Sequence, residues 1–599
     1  MRPGLLGTAA KTGAIAGTVL IFLAAVGLIG NFTDLLLIGE QVTFAGLILV
    51  IPPVLAGWIS ARPKIIAGAV DELTRQHALT AGALAGALSG VTFGAFVVFV
   101  EAFGVERIRE IFLNISPALM DYLTGGRPPL VAALIITVTS IIVGAAGAGY
   151  GTLSDPIRKP IGAAVSITLL MAFLQRIIPI AMDEVGVERD WLYSKVTGGL
   201  TWLGAIVIAA VAAGSSILKE RKGDAIRAAI VTRRTRGLEG ETKLTPLSVG
   251  LMLVGLALLL IAPQVLGSVI SEVLGTVMVF ALLGLGLNIV VGYAGLLDLG
   301  YVFFFTLGAY SLALLTGATL NTFIGSSDPA ISLNLNFYVA IPIVIAIAAF
   351  AGILVGLPVL RLRGDYLALV TLGLGEVIVV LVTSPWLEPL VGGPQGMRDI
   401  TNAQIGDFGF REPQHFYYLA FAFVVLALFV SWRLAHSRIG RAWTALREDE
   451  QVADAMGVST TSYKLLAFAI GGAIGSVGGA LFAVKIGSLT PASFQVLVSI
   501  QVLGIVILGG IGSLPGVIVG SLVLVGLPGL LREFEEYRLL AYGAALVAVM
   551  LLRPEGVIPN VRRSLELKEE DREQDKWAGD VAGDEHVAPS ISPLGEGAG

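Results

Sequence analysis

A carboxylate near the middle of a run long enough to cross a bilayer is the side chain here with the most chemistry open to it. Glu376 sits in the apolar stretch 366–383, where even the mildest insertion scales charge about 2.5 to 3.5 kcal/mol for a bare acidic group. It is therefore expected to face the interior of a helix bundle, protonated or hydrogen-bonded. There it either lines a path for a polar solute or holds helices together. Asn288, inside GLNIVVG, and Thr371 are cheaper polar groups at membrane depth, for which interhelical hydrogen bonding is the first expectation. Gly292, Gly295, Gly300 and Gly308 follow within one segment and thin the backbone, which lets spans cross closely or unwind beside a path. Asn288, Gly292, Gly295, Thr371 and Glu376 are accordingly the candidate lining of a translocation path. Asp298, after Gly-Leu-Leu at a span edge, reads as a cap or turn residue.

A second constellation is charged rather than apolar. The stretch GRAWTALREDEQVADAMGVSTTSYK, 440–464, lies between two runs of membrane length. On a helix, Ala442, Ala445, Leu446, Val452, Ala453 and Met456 gather on one face, with Arg447, Glu448, Glu450 and Asp454 away from it. Gly457 supplies the stop expected of a helix C-terminus. Such an element either lies among lipid headgroups or offers its face to a soluble partner. Hydrolytic chemistry is not expected. No Gly-Lys dipeptide exists, so there is no GxxxxGK[ST] phosphate loop. The chain has no cysteine, and its histidines, His77, His415, His436 and His586, do not cluster, so neither catalytic residues nor a metal centre are predicted.

The elements that hold these residues follow from composition. The chain has 599 residues, is 55% hydrophobic and 14% charged, and has a mean hydropathy of +0.85. One ordinary soluble core cannot absorb that much apolar surface, so the expected fold is an all-α polytopic membrane protein. With 75 glycines, many inside apolar runs, close helix contact through small residues is the expected packing. Counting runs of about 15 to 24 residues predicts about 16 transmembrane helices, six before residue 220 and ten after 245. The six lie near 13–30, 42–60, 78–100, 130–150, 161–180 and 196–218. The ten lie near 247–265, 272–291, 298–316, 338–360, 366–383, 416–433, 463–485, 497–510, 517–531 and 539–552. Threading them with both termini inside gathers Arg2, Lys11, Arg62, Lys64, Arg75, Arg158, Lys159, Arg361, Arg363 and the 440–464 stretch on the cytoplasmic side, as the positive-inside rule requires.

Four parts are predicted: an N-terminal membrane extension over 1–218, a basic cytoplasmic linker over 219–245, a second membrane domain over 246–560, and a disordered acidic tail over 561–599. The two membrane parts are not repeats, since GYAGLLDLG and REDEQVADAMG occur once each.

The second membrane domain resembles the LivM-type permease of branched-chain amino acid ABC transporters. The resemblance rests on GLGLNIVVGYAGLLDLGYVFFFTLGAY (284–310), LRLRGDYLALVTLGLGEVIVVLV (360–382), GGPQGM (392–397), TPASFQVLVSIQVLGIVILGGIGSLPGVIVGS (490–521) and LLRPEGVIP (551–559), which stand in family order. It implies a permease subunit of an ATP-driven importer of branched-chain or related hydrophobic amino acids in a prokaryotic plasma (inner) membrane. Arg441, Ala445, Leu446, Arg447, Glu448, Glu450, Ala453, Met456 and Gly457 would then form the coupling helix to a cytosolic ATPase. The implied partners are a LivH-like permease, two ATPases of LivG and LivF type, an extracytoplasmic binding protein and lipid, with no nucleic acid. The chain itself would carry no cofactor, the ATPases binding ATP and magnesium. Urea or short amides as cargo of the same family, and an ion-coupled secondary transporter using Glu376 as its proton site, are the alternatives.

Overall fold

A computed structural model describes residues 3–218, apart from short stretches within 62–74 and 176–185, and residues 246–558, apart from 323–324, 328–332, 360–364, 407 and most of 531–554. The predicted linker 219–245, the tail 561–599, and Arg361 and Arg363 lie outside the described residues. The chain divides into two units, Met1–Gly255 and Leu256–Gly599.

Among the described residues of the first unit the longer helices are α1 (Pro3–Ala25), α2 (Phe44–Ser60), α3 (Arg75–Phe103), α4 (Pro129–Gly151), α5 (Asp155–Phe173) and α6 (Trp202–Leu218). Their packing follows from small residues at four-residue spacing. Gly82, Gly86, Gly90 and Gly94 make a groove along α3, and α4 lies in it. A methyl on Gly86 would overlap the Ser140 carbonyl oxygen, and one on Gly90 would stand 2.6 Å from the Thr137 Cα. The backbones touch, which is how helices associate where lipid leaves no hydrophobic gain. Gly86→Val is therefore expected to lower the thermal unfolding midpoint of the purified chain by several degrees in scanning fluorimetry. Gly214→Val on α6, where a Cβ meets nothing within 4 Å, is expected to leave it unchanged. Equal midpoints for the two variants would mean that the α3–α4 contact is not tight.

The second unit contains α7 (Pro246–Leu287, of which residues 256–287 belong here), α8 (Val302–Thr316), α9 (Phe337–Val359), α10 (Asp365–Thr383), α11 (Pro413–Ala435), α12 (Arg438–Glu448), α13 (Glu450–Ala455), α14 (Thr460–Ile486), α15 (Val496–Gly509) and α16 (Leu514–Ser521). Helix α14 is the axis. Gly308 of α8 abuts the Ser476 backbone, and a methyl on Gly352 of α9 would stand 2.6 Å from the Phe468 carbonyl oxygen. Around it Trp443, Tyr301, Tyr417, Phe304, Phe305, Phe337, Phe416 and Phe494 are fully buried. Short strands tie the loops: Thr319–Thr322 pairs with Gly325–Ser327 and Met397–Arg398, and Met397 and Leu489 exchange both backbone bonds at 2.9 and 2.8 Å.

Among the described residues, ten helices are long and apolar enough to cross a membrane, and four apolar ones are shorter. The chain is thus an all-α polytopic membrane protein. The count of 16 is not reproduced one for one. The runs 247–265 and 272–291 fall within one long helical stretch, broken at Gly267, whose φ of 73° and ψ of −178° mark a kink. Much of 539–552 lies outside the described residues.

Candidate functional site

Helix α7 does not end where its hydrogen bonds first change. From Asn288 to Tyr293 the turn widens, with Ala294 N–H donating to the Ile289 carbonyl at 3.1 Å, five residues back. Gly295, at φ +71°, then lets Leu296 N–H return to the Val290 carbonyl at 3.0 Å, closing the end as only a left-handed residue permits. Two distant segments grip this turn. The buried Asn288 Oδ1 accepts from Gly512 N–H at 2.8 Å, so its amide Nδ2 points away and is buried without a partner among the described residues. The Arg447 guanidinium, reaching in from the end of α12, donates to the Gly292 carbonyl at 3.1 Å and to Glu448 Oε1 at 3.1 Å. Side chains at the glycines would break the assembly: a methyl on Gly292 would overlap Asn288 Oδ1, and one on Gly295 would lie 2.5 Å from Arg447 Cγ. Asn288, Gly292, Gly295 and Arg447 therefore form one cluster.

The linker from this turn to α8 makes a second node. Asp298 is buried; its Oδ1 accepts from Gly300 N–H at 2.9 Å, and its other oxygen is buried without a partner among the described residues. Thr371 Oγ1 accepts from Leu299 N–H at 3.0 Å and donates to the Ala368 carbonyl at 3.1 Å, so its role is to staple α10 to the linker. Val302 N–H donates to Ser499 Oγ at 2.8 Å, and Tyr301 O–H to the Gly471 carbonyl at 2.6 Å. Leu299 and Val302 N–H thus each find a side chain on another helix, and Gly300 N–H finds one within the linker, as burial demands.

Glu376 does not join either node. It is exposed on the outer side of α10, among exposed apolar residues, which corrects the expectation that it faces the bundle interior. Thr371 and Glu376 are five residues apart, about 500° around a helix, so they cannot share a face.

The 440–464 stretch is two helices rather than one. Asp449, extended at φ −155° and ψ 113°, ends α12 and caps α13 by accepting from Gln451 and Val452 N–H at 2.8 and 3.0 Å. The predicted single apolar face splits with it. Ala442, Leu446 and Ala453 are buried, but Ala445, Val452 and Met456 face outward, Met456 80% exposed. Arg441, Glu448 and Gly457 are exposed too, Gly457 at φ +84°. Glu450, expected on the free polar face, instead holds Lys464 at 2.6 Å, whose side chain is only 6% exposed. Ser437 caps α12, and the Trp443 indole donates to the Tyr463 carbonyl at 2.8 Å, clamping it to the start of α14. The sequence reading does not single out Trp443, Lys464 or Gly512 as site residues. Lys464, a lone cation near the start of an apolar span, and Trp443, three residues before Leu446, carry a signal; Gly512 carries none beyond its Gly-rich turn.

Residues 269–552 match the family described as "Branched-chain amino acid transport system / permease component". The high-affinity branched-chain amino acid transport system permease protein LivM of Escherichia coli K12 is 40% identical over 342 residues, covering 53% of this chain and 77% of that relative. The protein of the same description from Salmonella typhimurium LT2 is 40% identical over 314 residues, covering 49% of this chain and 70% of the relative. The permease protein LivH of the E. coli K12 system is 32% identical over 139 residues, 23% of this chain and 44% of the relative. No solved structure matches the chain. All of 269–552 falls within the unit that holds Asn288, Thr371 and Arg447. On the strength of the share of LivM it covers, the chain belongs to the branched-chain amino acid transport system permease family.

Proposed function

We propose that this chain is one permease subunit of an ATP-driven importer that carries branched-chain amino acids across a prokaryotic plasma membrane, with both termini in the cytoplasm. The observation that carries the reading is the Arg447 bond to the Gly292 carbonyl, which joins a pair of amphipathic surface helices to a buried, widened turn. In this reading α12 and α13 receive an ATPase that binds ATP and magnesium. A LivH-like chain completes the pore, and an extracytoplasmic binding protein delivers cargo to the loop 385–414. Closure of the ATPases presses on α12 and re-sets the turn at Asn288–Tyr293. The two permease proteins, LivM and LivH, of one named system support a two-chain pore.

The test exploits Val452 and Met456, which are 58% and 80% exposed and so tolerate substitution without loss of packing. The chain would be purified with the proteins encoded beside it and reconstituted with the binding protein. Met456→Arg and Val452→Arg are expected to lower co-purified ATPase about tenfold or more, as loss of an interface anchor does, and leucine uptake with it. Glu450→Arg is a poor probe, because it also releases Lys464. Wild-type uptake by both variants would sink the docking assignment. Uptake stopped by a protonophore but not by ATP depletion would favour ion coupling instead, and urea outcompeting leucine would re-assign the cargo.

A further inference from the structure

Helix α10 has two unlike sides. On one, Leu367, Ala368, Thr371 and Val382 are buried, and a methyl on Gly375 would lie 3.1 Å from Val302 Cγ1 and 3.2 Å from the Gly300 Cα. On the other, Tyr366, Leu369, Gly373, Glu376, Val377 and Val380 recur at three- and four-residue spacing and are all exposed, Tyr366 71% and Val380 64%. An apolar outer stripe alone would be a lipid-facing surface. This one has an ionisable group in it.

Glu376 is seven residues from the nearer end of the span Tyr366–Thr383, about 10 Å along the axis, beyond what its own side chain can span toward the headgroups. It makes no hydrogen bond or ion pair among the described residues. Ionisable groups at this depth face protein or water rather than hydrocarbon. Beside it, one turn back, a Cβ on Gly373 would meet nothing within 4 Å, the small-residue gap through which another helix backbone approaches closely. A carboxyl without a donor and a notch without a neighbour lie on one stripe.

We propose that this stripe of α10 is the surface that meets the second permease chain, with a hydrogen-bond-donating or cationic side chain of that partner at the level of Glu376 and a partner helix backbone against Gly373. The inference rests on the importer reading above, which supplies a second permease chain as the occupant. The chemistry selects a partner with a donor at mid-membrane; lipid tails offer none.

A benzoylphenylalanine placed at Leu369 or Val380 of the full chain, expressed with the second permease, tests the surface; the same group at Phe350 of α9 and Phe429 of α11, both outward-facing, is the control. Photolysis is expected to join the α10 positions to the second permease about tenfold more than the controls. Glu376→Leu is expected to cut recovery of the second permease about tenfold, and Glu376→Gln, which keeps hydrogen-bonding capacity, to restore most of it. Cross-links from Leu369 and Val380 to lipid, to a second copy of this chain, or to its own residues 1–218 would overturn the assignment. Cross-links from Phe350 or Phe429 in a complex that still co-purifies would overturn the surface but leave the importer standing. A wild-type chain that never retains a second permease would overturn both.

Discussion

Gly300→Val is expected to leave almost no folded protein in the membrane, and Gly300→Ala to reduce its yield several-fold. Any Cβ at this position would overlap the carbonyl oxygen of Thr371 and come within 3.2 Å of the Thr371 Cα. Those are backbone atoms of α10, so no rotamer change relieves the overlap and the linker or the helix must move. Moving α10 opens the Leu299 N–H bond to Thr371 at 3.0 Å; moving the linker opens that bond and the Val302 N–H bond to Ser499 at 2.8 Å, and disturbs the Gly300 N–H bond to Asp298 at 2.9 Å within it. Each broken bond strands a buried polar group at a cost of about 1–3 kcal/mol. Overpacking itself adds about 1–3 kcal/mol, and a shift of about 1–2 kcal/mol already changes cellular abundance several-fold. Gly308→Val, pressed against the Ser476 backbone across the α8–α14 contact, is expected to behave alike. Gly373→Ala, one helical face away and open, should give wild-type yield of the chain expressed alone. Size-exclusion profiles of the detergent-extracted chain decide the matter, and a monodisperse Gly300→Val peak of wild-type height would refute it.

The contrast between Gly300 and Gly373 also shows what was legible in the sequence and what was not. Fold class was legible because apolar run length answers to bilayer thickness, a constraint that leaves few alternatives. Which side of a span faces protein was not. In a soluble helix the buried face is the apolar one; in α10 both the buried and the outward sides carry apolar residues, so periodicity does not choose between them and Glu376 was expected inward on cost alone. The cost argument requires only that the carboxyl avoid hydrocarbon, and a partner chain meets that requirement as well as the chain's own core. Asn288 and Gly292 were marked by their types, but the group that answers Asn288 is Gly512 N–H, 224 residues away, and no local pattern encodes such a pairing. The charged stretch erred the other way. Its single helix was drawn through Asp449, although an Asp before Glu-Gln-Val is an N-cap signal that the periodic count overrode. The kink at Gly267 similarly makes one interrupted helix of two counted spans.

Arg447→Ala is expected to separate energy from movement: ATPase still bound, ATP still hydrolysed, leucine uptake down about tenfold or more, the signature of an interaction made only in the productive cycle. The surface helices should survive the change. Ser437 caps α12, Trp443 holds it to the Tyr463 carbonyl, and Asp449 and the Glu450–Lys464 pair hold α13, none of which uses Arg447. What is lost is the 3.1 Å bond from the guanidinium to the Gly292 carbonyl. Arg447→Lys should recover only part of the activity. An ammonium can reach one acceptor, but it lacks the planar fork that serves Gly292 and Glu448 together. Asn288 grips the same turn from the side of Gly512. If that turn moves as a unit, Asn288→Ala must slow uptake as well, and the double variant should lose far less than the product of the two single losses, because the second cut falls on a connection already severed. Strict additivity in uptake, measured at equal bound ATPase, would mean that Arg447 and Asn288 act separately and that the widened turn between them carries no stroke.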